Sequence, residues 1–83
     1  MSYRVQYSNE ARVALRALEK AGMARLQEYR QAMEQIARKP YDFGKPVDGI
    51  NDKRRAAVAG TVTIYWISQS VLTVSVVTIV HTA

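Results

Sequence analysis

The chain has no cysteine, one histidine, one phenylalanine, two prolines and four glycines in 83 residues. Without cysteine there are no disulfides, no thiolate ligands and no thiol nucleophile, and His81 alone cannot build a histidine zinc site. Asp42, Asp48 and Asp52 lie in a turn-rich stretch, at gaps that do not make a metal site, so no metal and no other cofactor is expected. Carboxylates are scarce as a group: seven Asp and Glu against twelve Lys and Arg leave a net charge of +5. That balance favours an anionic partner, whether RNA, DNA or an acidic protein segment, and does not choose among them. The opening Met1-Ser2-Tyr3-Arg4 has no apolar h-region, which predicts no secretory signal. A reducing, cytoplasmic location fits the missing cysteines.

What is present suits one small domain, taken as residues 1–83. A chain of this length buries only about 60 to 65% of its unfolded surface, so its core is thin and further burial against a partner is expected. From Ala56 to Val80 no side chain is charged, and Lys53-Arg54-Arg55 stands just before, as it would ahead of a tail-anchored membrane helix. Eight of those positions are nevertheless polar, among them Thr61, Thr63, Ser68, Gln69 and Ser70. Val, Ile and Thr dominate the rest, and the Ser-Gln-Ser interruption splits the segment at its middle. This composition predicts strands joined by a tight turn, and no membrane span.

Periodicity supplies the other elements. Tyr3, Val5 and Tyr7 alternate with Arg4 and Gln6, the pattern of a short strand. Ser8 offers an N-cap to a helix with Ala11, Ala14, Leu15 and Leu18 on one side, which Gly22 closes. Leu26, Tyr29, Met33 and Ile36 mark a second helix ending before Pro40. Residues 40–52 read as a connecting loop, followed by strands at about 53–59, 61–67 and 71–80. The expected fold class is α+β in the order β-α-α-β-β-β: a helical hairpin on one face of a small, mainly antiparallel four-stranded sheet whose other face stays uncovered.

Several local patterns together resemble the RelE/ParE toxin superfamily across essentially the whole chain. They are Tyr3-Arg4-Val5-Gln6-Tyr7-Ser8, Lys39-Pro40-Tyr41-Asp42-Phe43-Gly44-Lys45-Pro46-Val47, Arg55-Ala56-Ala57-Val58-Ala59-Gly60, Ile64-Tyr65, and Val76 to His81. The resemblance implies a RelE-like fold and the toxin component of a bacterial type II toxin-antitoxin system, neutralised by a cognate acidic antitoxin. RelE-like members are ribosome-dependent mRNA endoribonucleases that inhibit translation. ParE-like members are non-nuclease toxins that inhibit DNA gyrase, and a catalytically degenerate member would only bind its antitoxin. The RelE-type activity is the preferred expectation, with a homodimer or a toxin-antitoxin hetero-oligomer as the assembly.

Metal-independent RNA cleavage by the 2′-hydroxyl needs a base, cations for the charge developing on phosphate, and an acid for the leaving oxygen. The candidates are Arg55 and His81 as catalytic residues and Lys53, Arg54 and Arg55 as RNA contacts. On a strand Lys53 and Arg55 point one way and Arg54 the other, so only one of those sides can meet RNA. His81 is the side chain whose ordinary pKa suits proton transfer near neutrality. Against RelE-like toxins the cation set is thin: Ala57 stands where a second basic residue is usual, Val62 and Thr63 stand in the region of a middle-strand arginine, and only Thr82 and Ala83 follow His81, where many active members carry a basic, tyrosine-bearing tail. The helix cations Arg12, Arg16, Arg25 and Arg30 interleave with glutamates as a solvated face. Trp66 reads as core or sheet-face packing, and the uncharged hairpin as a surface for an antitoxin segment or a second copy.

Overall fold

The computed structural model describes residues 2–82. Two helices lie on a five-stranded sheet: β1 (Arg4–Tyr7), α1 (Asn9–Ala21), α2 (Met23–Arg38), a 3₁₀ turn (Pro40–Asp42), β2 (Lys45–Val47), β3 (Ile50–Val58), β4 (Thr61–Ser68) and β5 (Thr73–His81). The strand order is β1-β5-β4-β3-β2, antiparallel except that β1 runs parallel to β5. The parallel pair is possible because both helices lie between β1 and the later strands and provide the long connection it needs. The α+β class and the helical hairpin on one face are as expected, but the sheet has five strands where the sequence predicts four.

The additional strand is β2, inside the stretch expected to be loop. Its cause is the Asp48-Gly49 pair, whose positive φ angles of 54° and 75° make the two-residue turn that matches strand twist. Pro46 is tolerated because β2 is an edge strand. Ala59 and Gly60 turn β3 into β4 in the same way. The β4–β5 turn covers residues 69–72, so Val71 and Leu72, expected to open the last strand, are exposed in the turn.

Ser8 does what a cap should and more. Its Oγ accepts from the Ala11 N–H at 3.0 Å and donates to the Val77 carbonyl at 2.8 Å, so one hydroxyl both starts α1 and fastens it to β5. Leu18 of α1 and Leu26, Tyr29, Met33 and Ile36 of α2 pack on Ala56, Val58, Tyr65, Ile67, Val74, Val76 and Ile79 of the sheet. The polar atoms in this layer are paired: Tyr29 OH lies 3.0 Å from Thr63 Oγ1, which lies 3.0 Å from Thr61 Oγ1, which donates to the Val58 carbonyl at 2.7 Å. Burial pushes the Tyr29 phenol well above its ordinary pKa. No helix among the described residues is long and apolar enough to cross a membrane.

Gly44 and Gly49 both have positive φ, 67° and 75°, but a Cβ on Gly44 would lie 2.5 Å from the Arg55 carbonyl oxygen, whereas one on Gly49 would meet nothing within 4 Å. Gly49→Ala is expected to cost about 1 kcal/mol, the left-handed backbone penalty alone. Gly44→Ala adds a backbone collision and should cost at least about 1 kcal/mol more. Urea unfolding of the two variants checks this; equal losses would contradict the close approach of β2 to β3.

Candidate functional site

Alternation along the strands decides which side chains meet the helices and which do not. On β3, Arg54, Ala56 and Val58 are buried while Arg55 and Ala57 are exposed, and on β4 Thr61, Thr63, Tyr65 and Ile67 are buried beneath the helices. The register then sorts the helix-free face into rows. Lys45, Arg55, Ile64 and Thr78 form one, and Lys53, Trp66, Ser75 and Gln6 the next. Arg4 shares a third with Thr73 and Ser68.

Three cations, Lys45, Lys53 and Arg55, thus gather at the β2–β3 margin of the open face. Lys53 Nζ stands 5.4 Å from the centre of the Trp66 ring, within cation–π range, and Trp66 keeps 40% of its surface exposed. The Trp66 side chain therefore lies on the sheet face and not in the core. The one acid in any strand is Asp52, which alternation puts on the other side with Arg54, where it accepts from Tyr41 OH at 2.6 Å. No strand carboxylate lies on the open face; Glu10 of α1 reaches the far end of the Arg55 row, where its Oε2 accepts from Thr78 Oγ1 at 3.2 Å, and the Lys45, Lys53 and Arg55 margin stays positive.

Arg54 is expected from sequence to contact RNA, but the structure commits it elsewhere. It is 7% exposed, and its guanidinium donates to Phe43 O at 2.9 Å, Asn51 O at 3.1 Å, Asn51 Oδ1 at 2.8 Å and Gly44 O at 3.3 Å. Tyr65 OH reaches Pro40 O at 2.9 Å and Phe43 O at 3.2 Å. Together they pin the 40–44 segment to the sheet, and this sets Lys45 beside Arg55.

His81 is not brought to Arg55. It pairs with Thr61, three residues beyond the Thr78 that shares the Arg55 row, and its Nε2 lies 3.2 Å from the Ala14 carbonyl of α1. An odd step along a strand changes face, so the two proposed catalytic residues lie on opposite sides of the sheet. Lys45 is the cation that sequence reading missed; the Asp48-Gly49 turn signal could have revealed its strand. Among the described residues no three His, Cys, Asp or Glu side chains come together to hold a metal.

The architecture is thus a helical hairpin on one side of a mixed five-stranded sheet, with cations gathered on the side left open. No family model and no curated protein matches the chain, but solved structures do. The toxin-antitoxin complex RelBE2 of Mycobacterium tuberculosis matches at TM-score 0.76 and 24% identity, over 98% of this chain and 99% of that one. A mutant of the E. coli toxin RelE in its free state matches at TM-score 0.78 and 16% identity, over 98% and 84%. The chromosomal ParDE system of P. aeruginosa matches at TM-score 0.74 and 12% identity, over 99% and 98%. The chain has the fold of the RelE/ParE toxin superfamily.

Tyr41 offers a direct probe of the segment behind the site. Burial, with the Asp52 carboxylate it is bonded to, pushes its phenol up to about 12 from 10.0. The folded chain thus favours the neutral phenol, so the Tyr41–Asp52 contribution is complete below pH 10 and disappears as pH rises towards 12. Between those limits wild type should lose stability more steeply than Tyr41→Phe in urea unfolding; parallel slopes would contradict the pairing.

Proposed function

We propose that this chain is the toxin component of a type II toxin-antitoxin pair, neutralised by a cognate acidic antitoxin, and that its activity is RelE-type, ribosome-dependent mRNA cleavage. The observation that carries this reading is the gathering of Lys45, Lys53 and Arg55 on the sheet face that the helices leave open. Preorganised cations at developing phosphate charge are worth about 3 kcal/mol each when they act in the transition state. Arg55 is the residue assigned to the scissile phosphate, with Lys45 and Lys53 binding the flanking RNA. With His81 turned to α1, the open face supplies charge stabilisation, and the ribosome would have to order the RNA and complete the proton transfers. In this reading His81 anchors the end of β5 to α1.

A second reading has its own support. Ile64 beside Arg55, and the next row of Ala57, Val62 and the exposed Val80, bring apolar side chains and no cation to that part of the open face. Such a surface suits protein binding and would serve a non-nuclease, ParE-like inhibitor of DNA gyrase or a degenerate member that only binds its antitoxin.

In a purified translation reaction, wild type is expected to cut mRNA in the ribosomal A site, Arg55→Ala to cut about a hundredfold more slowly, and His81→Gln to cut at nearly the wild-type rate. Primer extension on the mRNA provides the readout. Absence of cleavage by wild type would remove the nuclease reading, and gyrase-dependent DNA breakage in its place would establish the second.

A further inference from the structure

An open hollow of about 610 Å³ lies at the opposite end of the helix-free face from Lys45, and the cation cluster does not account for it. Its walls include Arg4 and Gln6 of β1, Ser68 of β4, and Thr73 and Ser75 of β5, with Leu72 on the rim. We propose that this hollow is a subsite for one unpaired nucleotide of a single-stranded RNA, with the phosphate on Arg4 and the base directed toward Trp66. The inference rests on the RNA-directed reading of the same face and adds a binding position to it.

Three observations converge on it. The lining is rich in hydroxyl and amide groups and contains one cation and no carboxylate, which suits a sugar-phosphate better than an apolar ligand. Two of its lining residues neighbour the aromatic position on the same face, since Ser75 is the cross-strand partner of Trp66 and Ser68 lies two residues along the same strand. Trp66 is in turn opposite Lys53. Adjacent strands lie about 4.8 Å apart, so Arg4 on β1 and Lys53 on β3, three strands away, are separated by about 14 Å across the sheet. A single strand laid in this direction would meet cations at both ends and an aromatic face between them, the arrangement by which stacking platforms bind unpaired bases. The side chain over the ring is the flexible Lys53, whose ammonium can move to a phosphate as a base takes its place.

An acidic peptide would also satisfy Arg4, and its amides could bond Gln6, Ser68 and Ser75, but an acidic side chain makes no use of the exposed indole face on which a base stacks, so the nucleotide is the better fit.

Fluorescence anisotropy of a fluorescein-labelled single-stranded RNA oligomer, titrated with the purified chain, tests this. Arg4→Ala is expected to weaken binding about tenfold and to flatten the dependence on log salt by about 0.7, one phosphate contact in a single strand. Trp66→Ala should weaken it about tenfold, with Trp66→Phe close to wild type because a stacking ring is kept. Arg16→Ala, a cation on the exposed side of α1, should leave binding unchanged, and thermal melts monitored by circular dichroism should show these four variants and Arg55→Ala folded. If Arg55→Ala weakens binding while Arg4→Ala and Trp66→Ala bind like wild type, the subsite is wrong and the RNA reading survives. Failure of wild type to bind the oligomer would overturn the subsite, while the RNA reading itself stands or falls on the A-site cleavage reaction. Displacement of the RNA by polyglutamate at equal charge concentration would assign the hollow to an acidic peptide instead.

Discussion

One constraint organises this molecule: a single sheet can be covered by its two helices on one side only. Because strand side chains alternate, each choice of an inward residue fixes its neighbour as outward. Burying Ala56, Val58, Tyr65 and Ile67 under α1 and α2 necessarily presents Arg55, Ala57, Ile64 and Trp66 to the other side. The open face is thus a consequence of building the core, and its charge is set by what the sequence places at the alternate positions.

Arg54 shows how the two sides are coupled. A buried guanidinium is costly unless its donors are satisfied, and here the carbonyls of Phe43, Gly44 and Asn51 satisfy them. The same bonds tie the 40–44 segment to β3 from below, so that β2 can pair along the edge and add Lys45 to the cations above. Adjacent arginines therefore do different work, Arg54 holding the scaffold and Arg55 facing outward. The buried hydroxyls of Tyr29, Thr63 and Thr61 are satisfied in the same manner, so the thin core carries polar groups without orphaning them.

Much of this was legible from residues alone. The Ser8 cap, the Gly22 break, the end of α2 before Pro40 and the opposite directions of Arg54 and Arg55 follow from local rules, which the structure obeys. Strand β2 was hidden because three residues containing a proline carry no periodicity, and only the Asp48-Gly49 turn marks them. His81 could not be placed because β5 has a bulge between the partners of Ile64 and Tyr65, where Val77 is the extra residue. One inserted residue reverses the inward and outward assignment of everything after it, and no composition signal announces it. The exposure of Trp66 was equally illegible, since an aromatic on an alternating strand fits either side until the helices choose one.

The absence of native cysteine makes the central claim directly measurable. Cysteines introduced one at a time as Ala56→Cys, Ala57→Cys, Val62→Cys and Thr63→Cys can be challenged with a maleimide in the folded chain. The account predicts fast modification at positions 57 and 62 and strong protection at 56 and 63, because the helices shield only the second pair. Equal reactivity at all four positions, or protection of 57 and 62 in the isolated chain, would contradict a sheet with one free face.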